Sequence, residues 1–300
     1  MNGVLVIDKP PGLTSHDVVN RVRRILGQRA VGHLGTLDPL ATGVLPVVLG
    51  NLTRLAQFYT HSEKTYEGVI RFGFATDTYD ADGEPTTPPQ DVRINYDEVR
   101  ALAAQFQGAI EQMPPPFSAK KLAGVPAYKL ARKKQEVALK PVQVEIKEFV
   151  ILDTTRGQTK DQATFRARVA SGTYIRSVAH EMGQKLGCGA HLASLRRTAA
   201  AEFTIEDAHS LQALESAMQQ GSAESFALTM LVHPRKLLPQ LPSVTASEES
   251  AALIRSGRAV NLPEMSRAPQ VKVFYGQRDL IAIATRIAGT LFHPKIVFPA

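Results

Sequence analysis

Apolar residues in this chain recur with two different periods, and the period changes mark its elements. Residues 4–7 form a short apolar run stopped by Asp8-Lys9-Pro10-Pro11-Gly12, which predicts a strand ended by a turn that displays Lys9. Behind Thr14 or Ser15 as cap, Val18, Val22, Ile25 and Leu26 recur at helical spacing until Gly27, leaving Arg21 and Arg24 on the exposed side. Residues 47–49 resume an extended run, so 32–46 read as a loop between helix and strand. Lys64–Phe72 alternates, with Tyr66, Ile70 and Phe72 inward and Thr65, Glu67 and Arg71 outward. Residues 143–152 and 163–169 alternate too, and the second of these exposes Arg166 and Arg168.

Helical spacing returns over 97–108, with Val99, Leu102, Ala103 and Phe106 as the stripe, and over 175–186, with Ile175, Val178, Ala179, Met182 and Leu186 ahead of Gly187. A capping box at Thr204 and Asp207 precedes a helix carrying Leu211, Leu214 and Met218. Pro234, Pro239 and Pro242 punctuate a linker, and a second box at Thr245 and Glu248 opens a short helix. Strands over 271–275, 280–285 and 296–298, parted by Gly276 and Gly289, complete a small β-rich domain. No internal repeat or low-complexity tract is present.

Three hundred residues, 44% of them hydrophobic, suffice for about two domains. No apolar run approaches the ~20 residues of a membrane span, and the N-terminus lacks the pattern of a signal peptide, so a cytoplasmic location is expected. The lone Cys188 excludes an internal disulfide and a cysteine cluster for zinc. The net charge of +7 is unevenly spread. Residues 117–140 carry seven basic side chains against Glu136 alone, whereas 77–111 carry eight acids and two arginines. The basic stretch follows the stiff Pro114-Pro115-Pro116, and a rigid stem bearing cations reads as a clamp for phosphates or, more plainly, as a solvated helix face.

Candidate chemistry centres on residues 32–46, where Asp38 is the only acid among glycines, prolines, Leu37 and Leu40. A carboxylate in apolar company needs a cation or hydrogen-bond donors, and two readings stand: a turn aspartate that caps backbone N–H groups, or a reactive acid. Arg176 falls in the first turn of its helix and off the apolar stripe. A cation there opposes the helix dipole and calls for an acid such as Asp38, unless the side chain points into solvent. Tyr66 reads as core with a satisfied hydroxyl, or as part of a site. His180, Cys188 and His191 lack a fourth ligand for a metal, and residues 76–83 fail as a calcium loop because Thr78 and Pro89 occupy ligand positions. Their acids instead make Asx turns and receive basic partners, with a supporting place beside the active site as a further option. No P-loop, dinucleotide fingerprint or nucleophile elbow is present.

With these pieces placed, the chain resembles the TruB family of tRNA pseudouridine synthases along essentially its whole length. The resemblance is carried by Asn2-Gly3-Val4-Leu5 with Asp8-Lys9-Pro10, by Gly32 to Pro46, by Phe117-Ser118-Ala119-Lys120 with Tyr128, and by Gly172-Thr173-Tyr174-Ile175-Arg176 with Gly187-Cys188-Gly189-Ala190-His191. It implies an α+β pseudouridine synthase fold with a mixed central β-sheet over 1–232, a thumb inserted at about 112–141, and a β-rich PUA-type RNA-binding domain over 233–300. It also implies that Asp38 is the essential carboxylate, Arg176 its partner and Tyr66 the base-stacking tyrosine. His33 would help to hold the flipped nucleotide, Lys9, Tyr174 and Leu195 would line the pocket, and Lys120, Tyr128, Arg132, Lys133 and Lys134 would grip RNA from the thumb. The implied reaction is isomerisation of uridine-55 in the T loop of tRNA, which consumes no group carrier; no cofactor and no metal is expected. The T arm of tRNA is the expected partner, with a monomer, no membrane and no obligate protein partner. Two departures from the common pattern, at Gln135 and at Val169-Ala170-Ser171, touch the thumb and one pocket wall. The rival functions are a noncatalytic RNA-binding or RNA-folding protein, a pseudouridine synthase for another RNA or within a guide-RNA complex, and an aspartate-nucleophile hydrolase.

Overall fold

The computed structural model describes residues 1–118, 139–152, 160–221 and 223–299, with the backbone of 121–122 and 125–126. In chain order the first strands are β1 (Gly3–Lys9), β2 (Val31–His33), β3 (Thr42–Leu49), β4 (Lys64–Phe72) and β5 (Gly108–Gln112). A minimal pair, β6 (Lys121–Leu122) and β7 (Val125–Pro126), precedes β8 (Val142–Ile151), β9 (Gln162–Val169), β10 (Ala190–Ala200) and β11 (Phe203–Thr204). Nine of these make one sheet in the order β1-β3-β10-β4-β9-β8-β5, with β2 on β3 and β11 on β10. The sheet is mixed, since β10 runs parallel to β3 and every other pair is antiparallel.

The apolar patterns follow from which faces are covered. On β1 and β3, Leu5, Ile7, Leu45 and Val47 enter one core while Val4, Val6, Val44 and Val48 enter a second core on the opposite face. Both strands are therefore buried on two sides and read as unbroken apolar runs. Strands β4, β8 and β9 cover one face only and alternate. Their open side carries Arg166 paired with Glu148 and Glu63 paired with Lys147 and Arg168.

Helices α1 (Ser15–Leu26), α2 (Tyr96–Ala104) and α3 (Ile175–Lys185) cover the first core. Thr14 and Asp17 form a reciprocal capping box on α1, and Gly27 ends it in the left-handed region at φ 59°. Helix α2 stops at Ala104, short of the expected 108, because Gly108 already belongs to β5. The Thr204–Asp207 box caps a single 3₁₀ turn, and Ser210 caps the following helix, Leu211–Gln220. Likewise Ser247, not Thr245, caps Glu248–Arg255.

A five-stranded sheet, β12 (Ser243–Thr245), β13 (Val260–Asn261), β14 (Gln270–Tyr275), β15 (Asp279–Ala288) and β16 (Leu291–Val297), closes the chain. It contributes Phe274, Leu280, Ile283 and Ile296 to the second core, which also holds Phe298, Val4, Val44, Leu52 and Tyr59. The proline-punctuated stretch before it is fastened down: Leu237 and Leu238 are buried, and the buried Lys272 donates to the carbonyls of Arg235 and Leu237. Among the described residues no helix is long and apolar enough to cross a membrane.

Candidate active site

The connection between β2 and β3 is tighter than a loop from helix to strand. These strands pair as a hairpin, Val31 to Leu49 and His33 to Val47, and the irregular part shrinks to residues 34–41. The backbone from 35 to 39 is then pinned residue by residue. Arg197, with no exposed surface, donates to the carbonyls of Gly35 (3.0 Å), Thr36 (3.1 Å) and Val44 (2.7 Å). The Ser15 hydroxyl donates to the Leu37 carbonyl at 3.1 Å and accepts the Leu37 N–H at 2.7 Å. The Pro39 carbonyl accepts from the Gly12 N–H at 2.9 Å and from Lys9 Nζ at 3.2 Å. Gly43 permits the turn, because its φ is 98° and a side chain there would meet the Arg197 carbonyl at 2.2 Å.

This scaffold presents Asp38 to Arg176, whose donors are all engaged. Nε lies 2.9 Å from Asp38 Oδ2 and Nη2 3.1 Å from Asp38 Oδ1, a two-point pairing. Nη2 also donates to the Phe117 carbonyl, and Nη1 donates to the Thr78 carbonyl and lies 3.4 Å from Asp80 Oδ2. The Arg176 side chain is 7% exposed and that of Asp38 is 38% exposed, so the carboxylate stays open to the cleft. Two acids thus oppose the arginine that sits unfavourably in the first turn of α3. Burial pushes the Asp80 carboxyl above its ordinary value, against the pull of the Thr78 hydroxyl and Arg176. Buried Gln112 fixes the start of α3 by exchanging two hydrogen bonds with the backbone of Tyr174.

A cleft of about 440 Å³ opens over Asp38 and Arg176, walled by Tyr66, Tyr174, Leu195, Lys64 and residues 169–173. Tyr66, mostly buried in the first core, borders the same cleft as Asp38. Such a cleft suits a planar base attached to a sugar.

The model of the TruB family pseudouridylate synthase N-terminal domain matches residues 23–175, and that of the tRNA pseudouridylate synthase B C-terminal domain matches 176–238. A protein of Solibacter usitatus named tRNA pseudouridine synthase B is 47% identical over 99% of this chain and 100% of its own length. One of the same name from Bacillus cereus is 41% identical over 98% of this chain and 94% of its own. The chain belongs to the TruB family of pseudouridylate synthases. It is accordingly an isomerase. Among solved structures, a Cbf5-Nop10-Gar1 complex aligns with TM-score 0.68 and 27% identity over 96% of this chain and 79% of that one. An H/ACA RNP bound to a substrate RNA containing 2'-deoxyuridine aligns with TM-score 0.71 and 24% identity over 99% and 85%, which bears on the fold alone.

The TruB pattern places its expected residues unevenly. Asp38, Arg176, Tyr66, Tyr174 and Leu195 all border one cleft, as does the departing segment Val169-Ala170-Ser171. Lys9 corrects the expectation of a displayed, pocket-lining amine. It is fully buried beneath the loop, donating to the carbonyls of Pro10, Leu13 and Pro39, because a strand end packed under two turns leaves its amine no other outlet. His33 does not border the cleft either; its Nδ1 accepts the Gly35 N–H at 3.3 Å at the entry to the loop. Lys120, Tyr128, Arg132, Lys133, Lys134 and Gln135 lie outside the described residues. His180 stacks on Tyr79 at 3.7 Å and His191 meets the Phe74 carbonyl through Nδ1, so both rings are in structural contacts.

Two participants escaped the sequence reading. Leu195-Arg196-Arg197-Thr198 has the composition of a solvated basic run but lies in β10 at the middle of the sheet, where Arg197 is buried and Arg196 pairs with Asp8 at 2.8 Å. Asp80, considered only as a turn acid with a supporting place in reserve, is buried against Arg176. The crowding of acids in 77–111 was the available signal, since buried acids require a cation from elsewhere.

Proposed function

We propose that the protein converts uridine-55 in the T loop of tRNA to pseudouridine, with Asp38 as the essential carboxylate. The observation that carries this reading is the two-point grip of Arg176 on a cleft-facing Asp38. The tRNA in the relatives' names supports the substrate class.

The reaction breaks the bond from ribose C1′ to uracil N1, turns the base and joins C1′ to C5, with loss of the C5 proton. One aimed carboxylate serves either by attacking C1′ or by removing the C2′ proton, and both routes use the same open face of Asp38. Arg176 compensates the charge and fixes the carboxylate plane, which a lysine would do poorly. The target base must leave its stack at a cost of about a few kcal/mol, offset by stacking on Tyr66. The basic thumb at about 112–141 and the C-terminal unit over 233–300, read as PUA-type, would hold the two ends of the RNA. The protein is read as acting alone, as a monomer in the cytoplasm.

Incubation with unmodified tRNA followed by mapping of pseudouridine tests the proposal. Product at position 55 from the wild type and none from Asp38→Asn is expected. Turnover at another position would redirect the substrate, and substantial turnover by the variant would remove Asp38 from the chemistry.

A further inference from the structure

The positive charges around the cleft are not answered alike. Arg176 faces two carboxylates. Lys64 and Arg197 also border the cleft, and among the described residues no carboxylate oxygen lies within 4 Å of either charged group. Arg197 gives its donors to three loop carbonyls, which satisfies hydrogen bonds and leaves the charge in place. Lys64 Nζ donates to the Ser62 carbonyl at 2.6 Å, and an ammonium has three donors.

The two cations also converge. A methyl group built on Gly35 would sit 3.6 Å from Arg197 Nη1 and 3.8 Å from Lys64 Cε, so both side chains reach the same loop residue. Burial, reinforced by the neighbouring Arg197, holds the Lys64 amine down to about 8. Like charges kept close in a partly desolvated wall are costly unless an anion joins them. The anion that every RNA brings is the phosphodiester, and oriented donors beside a fixed buried charge suit it.

Resting on the reading of the cleft as an RNA site, we propose that Lys64, backed by Arg197, forms a phosphodiester subsite for a backbone phosphate adjoining the flipped nucleotide. The phosphate is held by its charge and the base by Tyr66, so the ribose between them is fixed at two points while C1′ and C2′ face Asp38. Lys64 is thereby a positioning residue and takes no proton in the reaction.

The test uses the full chain, a stem-loop RNA of the T arm, and a scan in which one phosphate at a time near the target is replaced by a neutral methylphosphonate. Lys64→Met should raise KM about tenfold with a smaller effect on kcat, and lower the slope of log KM against log salt by about 0.7. Lys64→Arg should restore both. One methylphosphonate position should weaken binding to the wild type by the same factor and cost Lys64→Met nothing further. Unchanged KM and slope, or losses that add independently at every position, would overturn the subsite. Should Lys64→Met not fold, the Lys64→Arg protein and the wild-type phosphate scan decide, a flat scan being the negative result. RNA binding by equilibrium titration is read beside wild-type turnover, so an inactive wild type that still shows the non-additive position would sink the catalytic reading and spare the subsite.

Discussion

The guanidinium of Arg176 meets the carboxylate of Asp38 edge to edge, with Nε 2.9 Å from Oδ2 and Nη2 3.1 Å from Oδ1. Lysine supplies one point charge and cannot reproduce that fork. Arg176→Lys should therefore lower kcat by about 10²-fold, the penalty for a misplaced reacting group, with RNA affinity changed by less than about threefold. Single-turnover kinetics with saturating enzyme would separate the two quantities. A loss appearing only in KM would show that Arg176 serves binding and not alignment.

Tyr66 contributes a ring to the cleft from a strand position that is otherwise core. Removing the ring as Tyr66→Leu should cost about 1–3 kcal/mol of stacking on the displaced base, seen as a loss in single-turnover rate. Tyr66→Phe keeps the ring and should retain RNA affinity. Equal affinity losses in the two variants would contradict a stacking role.

Arg197 is the internal brace of the loop that carries Asp38, and its substitution should act on folding before it acts on chemistry. Arg197→Met leaves the carbonyls of Gly35, Thr36 and Val44 without their donors, and a destabilisation of about 3–5 kcal/mol is expected. Urea unfolding midpoints at an unchanged slope would report it.

Lys9 adds a pH signature. Burial lowers its amine from 10.5 to about 8, so between these values the unfolded chain holds a proton that the folded chain has released. Stability therefore rises with pH across that window on account of this group, by at most about 1.4 kcal/mol per pH unit. Below about 8 both states are protonated and the contribution is flat. Lys9→Met should make the rising segment shallower, leaving the share that the similarly lowered Lys64 amine contributes, and, by freeing the Pro39 carbonyl beside Asp38, also reduce kcat; thermal unfolding from pH 7.5 to 10.5 checks the first part.

Residues 117–140 hold seven basic side chains against Glu136 alone, a charge excess suited to RNA phosphates. Replacing Lys133 and Lys134 together by alanine should weaken RNA binding and reduce the salt slope of log K by about 1.4–1.8. An unchanged slope would place the RNA elsewhere.

How much of this was written in the sequence depended on whether a residue's environment is local. Thr14, Asp17 and Gly27 announced α1 because capping is decided within a few residues. Asp38 and Arg176 could be matched because each was locally uncomfortable, one an acid among apolar neighbours and the other a cation at the wrong end of a helix. Nothing local marked β10, where two adjacent arginines in Leu195-Arg196-Arg197-Thr198 imitate a solvated run while the sheet around them buries one. Lys9 failed for the same reason: its carbonyl partners include Pro39, thirty positions away. Strand order was equally hidden, since β10 enters between β3 and β4 from more than a hundred residues downstream.

The second core draws Val4, Val44 and Tyr59 from one end of the chain and Phe274, Ile283 and Phe298 from the other. Its assembly therefore waits for the last strand to be made. Residues 50–59, which follow β3 directly, supply Leu52, Leu55 and Tyr59 to that core, and the closing sheet completes it with Phe274, Leu280, Ile283 and Ile296. The two sheets thus share one apolar cluster, and calorimetry should find a single transition in which both are lost together.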